Sequence, residues 1–107
     1  QEYAEILEMY HKNQFSQAII DGPLDVFLAV DKLLGGIKEI ETPVLGDADL
    51  LIFPGIEAGN TFYKSLMTFA GAEMGGVLFG TDKPVVLTSR SDSAASKFNS
   101  VALACLL

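Results

Sequence analysis

Apolar residues recur every three or four positions in four stretches of the chain, and short unbroken apolar runs lie between them. Tyr3, Ile6, Leu7 and Tyr10 share one face of a helix predicted from Tyr3 to about Asn13. Gln17-Ala18-Ile19-Ile20 is a short run stopped by Asp21-Gly22-Pro23, the pattern of a buried strand ending in a turn. Helical spacing resumes from Leu24 to Leu34 and stops at Gly35-Gly36. A second buried strand is predicted at Leu50-Leu51-Ile52-Phe53, ended by Pro54-Gly55, and a helix follows from Ala58 to Ala70 with Phe62, Leu66 and Phe69 on one face. Gly75–Phe79 and Pro84–Leu87 are further strand candidates around the turn-like Gly80-Thr81-Asp82-Lys83. Ser93–Leu107 closes the chain as a helix. Strands alternating with helices predict an α/β fold with a layered, mostly parallel sheet.

In such sheets, ligands gather where the carboxyl end of a strand feeds a helix N-terminus. Three segments occupy that position: Asp21–Leu24, Pro54–Asn60 and Thr88–Ser93. The third sets four hydroxyl residues around Arg90 just before a helix. Free amides in the first helical turn, the helix dipole and a planar guanidinium suit a phosphate, with Ser89, Ser91 and Ser93 as further donors. The same residues also suit a plainer role, in which Asp92 or Ser93 caps the helix and Arg90 is a solvated charge. In the second segment Gly55 and Gly59 permit a sharp turn around Glu57, and Asn60 and Lys64, one helical turn apart, can face one cleft. A glycine-rich connection with an exposed lysine explains that spacing equally well.

Composition narrows the classes. The 107 residues, half of them apolar and a fifth charged, are those of a globular domain, and one core is the most they can form. The net charge of −7 repels phosphate backbones and anionic membranes, so neither nucleic acid nor membrane is an expected partner. A small anion is compatible with that charge, because a local cluster of donors overrides a screened distant field. His11 has no cysteine or second histidine at ligand spacing, so no metal is implied. The single cysteine, Cys105, lies in the apolar run Val101–Leu107; it reads as a core residue, excludes an internal disulfide and fits a reducing, cytoplasmic setting. Nucleotide loops and a serine-hydrolase elbow are missing from the sequence. The chain begins without methionine and stops on Leu106-Leu107 in mid-pattern, which predicts a fragment or processed product.

The three segments together resemble the phosphate acetyltransferase and phosphate butyryltransferase family, the butyryl branch most closely. The resemblance is carried by Ile20-Asp21-Gly22-Pro23-Leu24; by Asp47-Ala48-Asp49 leading through Ile56-Glu57-Ala58-Gly59-Asn60 to Tyr63-Lys64-Ser65-Leu66; and by Pro84-Val85-Val86-Leu87-Thr88-Ser89-Arg90. Asp92-Ser93 and Lys97-Phe98-Asn99-Ser100 extend it. It implies a two-domain phosphate acyltransferase fold, like that of isocitrate and isopropylmalate dehydrogenases, with the active site in the interdomain cleft. Residues 1–75 would be the end of the second domain and 76–107 the segment returning to the first.

The implied reaction is attack of the coenzyme A thiolate on an acyl phosphate with phosphate leaving, in either direction, and with no permanently bound cofactor. By the resemblance Arg90 clamps the phosphate and Ser89 donates to the developing oxyanion, while Asn60, Lys64, Ser91 and Ser93 line the substrate site. A homo-oligomer is expected, since the family's subunits are oligomeric. The acetyl branch carries an aspartate seven positions after the motif serine, suited to general-base work on the thiol; this chain has Ser96 there and Asp92 as the nearest carboxylate. That departure fits the butyryl branch and leaves the acyl chain open. An alternative expectation is a catalytically silent fragment that serves only folding or oligomerisation.

Overall fold

The computed structural model describes residues 2–15, 17–33 and 40–107. Among the described residues, helices with both ends described are, in order, α1 (Glu2–His11), α2 (Val26–Val30), α3 (Ile56–Ala70) and α4 (Ala94–Leu106). The chain divides into two compact units, Gln1–Ile52 and Phe53–Leu107.

In the first unit α1 follows its predicted face, and an exposed ion pair between Glu8 and Lys12 (2.6 Å) sits one turn apart along it. α2 is much shorter than the spacing from Leu24 predicts, and Leu34, Gly35 and Gly36 lie outside the described residues. It starts at Asp25, whose carboxylate accepts from the Phe27 amide, and ends at Asp31, which leaves helical geometry (φ −127°, ψ 107°). The segment around Gly46–Ala48 packs on the same helix: Gly46 N–H donates to Leu28 O and Ala48 N–H to Ala29 O, both at 3.0 Å. Leu28 and Ala29 are the buried apolar residues among those described. Gly46 makes this approach possible, with a left-handed φ of 71° and a position where a Cβ would overlap the backbone of Asp31 and Lys32.

In the second unit α3 runs from Gly55 to Gly71 as its cap residues. Gly71 adopts φ 65° and ψ 25°, and the Gly71 and Ala72 amides both return to Leu66 O, which closes the helix end. Phe53 packs on Phe62 of α3 with ring centroids 5.0 Å apart. α4 carries the unit's buried polar seam. Ser96 and Ser100 are 2% and 1% exposed; Ser100 Oγ donates to Ser96 O (2.7 Å) and accepts from Gly76 N–H (3.0 Å). Gly75 lies so close to Asn99 that an added Cβ would be 3.1 Å from its carbonyl, so the 75–76 segment is docked directly on α4.

The predicted strands do not form a sheet here. Among the described residues, pairing is limited to one antiparallel bridge, Leu78 with Val85, whose N–H···O distance is 2.8 Å. The layered parallel sheet expected from the alternation of elements is therefore not what this chain displays. Parallel strands need neighbours supplied by distant chain, and the runs read as strands stand bare of them: Leu50 is 75% exposed and Leu87 86%. Cys105 is likewise exposed rather than core, on a part of α4 where Leu106 is also uncovered. His11 is exposed beside the Tyr10 ring. Among the described residues no helix is long and apolar enough to cross a membrane.

Candidate active site

The Thr88–Ser93 segment is built as a closed turn running into a capped helix. Ser93 is the N-cap of α4: its Oγ accepts from Ser96 N–H (3.0 Å) and donates to Ser96 Oγ (3.1 Å). A serine in extended geometry (φ −64°, ψ 160°) immediately before Ala94-Ala95 meets the local demand for such a cap. Ser93, expected as a substrate ligand, therefore directs its hydroxyl into the helix start. Ser96, which stands where the acetyl branch has an aspartate, is buried beneath it.

Asp92 does not cap the helix. It folds backward, its Oδ2 accepting from Ser89 N–H at 2.6 Å while its own N–H donates to Ser89 O at 3.2 Å. Ser89 is thus held at both backbone groups by one residue. Its hydroxyl lies 3.0 Å from Ser91 Oγ and accepts from Ser91 N–H at 3.4 Å. The sequence analysis missed this clasp. Its signal was present in Ser89-Arg90-Ser91-Asp92, where a carboxylate three residues after a turn's first position can reach the first amide.

Arg90 occupies the middle of the turn and is exposed, with no side-chain hydrogen bond or ion pair among the described residues. Its guanidinium is presented with the Ser89 and Ser91 hydroxyls close by in sequence and the N-terminus of a thirteen-residue helix following. The combination of fixed charge, hydroxyl donors and a positive dipole end can receive a phosphate-sized anion.

Asn60 and Lys64 lie on α3, one turn apart and both exposed. The Lys64 ammonium is 5.8 Å from the Tyr63 ring centroid, a cation–π distance that leaves its donors in solvent. No hydrogen bond or ion pair among the described residues joins Asn60 or Lys64 to the Ser89–Ser93 turn. The first motif, Asp21–Leu24, belongs to the other unit and lines an open, largely apolar cavity of about 1320 Å³ together with Tyr3 and Ile52. Within it Asp21 accepts from the Gly22 amide at 2.8 Å, and the Gly22–Pro23 bond is cis. Among the described residues no group of three potential metal ligands is found.

An exposed arginine in a hydroxyl-bearing turn at a helix start has the donors an anion needs. Residues 1–105 match the family model described as phosphate acetyl/butaryl transferase, and the chain belongs to this family. It is 46% identical over 101 residues to the probable phosphate butyryltransferase of Bacillus subtilis (strain 168), covering 94% of this chain and 34% of that protein. It is 41% identical over 105 residues to the phosphate acetyltransferase of Thermotoga maritima, covering 98% and 36% respectively. A branched-chain phosphotransacylase from Enterococcus faecalis V583 superposes with a TM-score of 0.79 at 45% identity, over 91% of this chain and 36% of that one. The chain thus spans about a third of the length of the curated relatives it matches.

Proposed function

We propose that the full-length enzyme carrying this segment transfers an acyl group, butyryl or another short or branched chain, between acyl phosphate and coenzyme A. The observation that carries this reading is the exposed Arg90, set in a turn whose Ser89 and Ser91 hydroxyls adjoin each other immediately before α4. The names of the relatives, butyryl, acetyl and branched-chain, support the reaction class.

In the proposed step the coenzyme A sulfur forms a bond to the acyl carbonyl carbon, and the carbon–oxygen bond to phosphate breaks. The product is a thioester and free phosphate. Negative charge grows on the carbonyl oxygen and on the departing phosphate, so donors aimed there supply most of the acceleration. Arg90 clamps the phosphate and the Ser89 hydroxyl donates to the carbonyl oxygen. Ser91 and Ser93 border the phosphate, while Asn60 and Lys64 contact coenzyme A or acyl phosphate from α3. Coenzyme A is a substrate here, and no permanently bound cofactor is assigned. The whole enzyme is read as a cytoplasmic homo-oligomer of two-domain α/β subunits with a mostly parallel sheet. Residues 1–75 would finish its second domain, and residues 76–107 would return to the first, with Gly76 pinned to Ser100 at the start of that return.

Arg90→Ala in the full-length enzyme tests the reading. Loss of a charged hydrogen bond worth about 1.5–3 kcal/mol predicts a fall in turnover of roughly tenfold to 150-fold, with the KM for phosphate raised in the reverse direction. Unchanged turnover removes Arg90 from the site. A second reading, that the 107-residue chain by itself is silent and serves folding or assembly, is favoured by its uncovered apolar side chains, Phe69 at 87% exposure among them. Acyl phosphate turnover by the isolated chain would exclude it.

A further inference from the structure

We propose that Asp92 is the positioning residue of the phosphate turn, acting through the Ser89 amide and not as the base that takes the thiol proton. The inference rests on the acyl-transfer reading above and adds a residue and a division of labour to it.

Two geometric facts support it. The Asp92 carboxylate is committed to Ser89 N–H at 2.6 Å, and the Asp92 amide closes the same turn on Ser89 O, so the pair forms a reciprocal brace. The brace spans the two residues assigned to the chemistry, Ser89 at its foot and Arg90 inside it. Ser93 meanwhile supplies the α4 cap, which leaves Asp92 with no capping duty that would explain its carboxylate.

A buried or half-buried amide bonded to a carboxylate is a strong, short, directional contact. It fixes the Ser89 backbone, and the Ser89 hydroxyl is then oriented by its 3.0 Å contact with Ser91 Oγ. Arg90 is exposed and has a long side chain with several rotatable bonds, so the precision of its placement depends on the rigidity of the backbone beneath it. The brace also removes the Ser89 amide from the set of donors available to an oxyanion, which leaves the Ser89 hydroxyl as that residue's contribution. In this division of labour the thiol proton passes to a base outside the Ser89–Ser93 turn.

The distinguishing property is that a positioning role needs an oxygen acceptor, whereas a base role needs a basic carboxylate. Asp92→Asn keeps an acceptor of nearly the same shape and lacks the basicity; Asp92→Ala lacks both. In the full-length enzyme, with butyryl phosphate and coenzyme A, Asp92→Asn is expected to stay within about threefold of wild-type kcat with the same pH profile, and Asp92→Ala to lose about ten- to a hundredfold. Faster hydrogen exchange at the Ser89 amide in Asp92→Ala, with restoration in Asp92→Asn, is the accompanying signature of the brace. Acceleration confined to the Ser89 amide, with exchange in α3 unchanged, separates loss of the contact from general unfolding.

Equal loss of kcat in Asn and Ala, or loss of the ascending limb of the pH profile in Asn, overturns the proposal in favour of a base. Wild-type kcat in Asp92→Ala overturns it in favour of an idle contact. A folded wild-type enzyme without coenzyme A-dependent turnover overturns the acyl-transfer reading itself, and the positioning role with it.

Discussion

Replacing Ser100 by alanine should loosen the Gly75-Gly76 segment docked on α4. Ser100 is 1% exposed and its hydroxyl is used twice, accepting from Gly76 N–H at 3.0 Å and donating to Ser96 O at 2.7 Å. Ser96 O, within a helix, has its own backbone role, so little is lost there. The Gly76 amide is different: it is part-buried, and alanine leaves it without its acceptor. A stranded amide costs about 1–3 kcal/mol, against which alanine recovers a few tenths through its better helix propensity. The expected net is about 1–2 kcal/mol, a five- to thirtyfold shift in a local opening equilibrium. Peptide-level hydrogen exchange on the full-length enzyme, following the stretch around 73–80, should show that acceleration, with α1 unaffected. Exchange at Gly76 as slow as in the wild type would refute the claim that Ser100 holds this segment on α4.

Two further substitutions probe the local geometry. Gly46→Ala sets a Cβ 2.8 Å from Asp31 O and closer still to the Lys32 nitrogen, at a φ of 71°. The left-handed conformation alone costs about 1–2 kcal/mol for a residue with a Cβ, so a loss of at least 2 kcal/mol is expected in denaturant unfolding, and an unchanged midpoint would contradict the close approach of loop and α2. Ser93→Ala removes the cap of α4 and should cost about 1 kcal/mol, seen as faster exchange in the first turn after Ser93, whereas Ser93→Asp should restore it.

The helices were largely legible because their signal is local. Apolar residues at helical spacing predict α1, α3 and α4 to within a few residues, and Ser93 was recognisable as a possible cap from hydroxyl residues preceding a helical run. The helix read from Leu24 is interrupted: the chain leaves helical geometry at Asp31, Lys32 and Leu33 are helical again, and Leu34 lies outside the described residues. The strand runs were legible as apolar extended segments and no more, because pairing depends on backbone from elsewhere; Leu78 and Val85 show the little that two nearby segments can do for each other. The three motifs were readable in order, and the family they resemble is the one the chain belongs to. The contact between Asp92 and Ser89 was not readable, since a carboxylate before a helix reads as a cap until the geometry shows it turned back to the Ser89 amide.

The activity of the full-length enzyme is the most direct test of the account. Purified protein is supplied with butyryl phosphate or acetyl phosphate and coenzyme A, and released phosphate and acyl thioester are measured together. The account predicts coenzyme A-dependent phosphate release matched mole for mole by thioester. Phosphate release without thioester, or no release from a folded enzyme with either substrate, would contradict it.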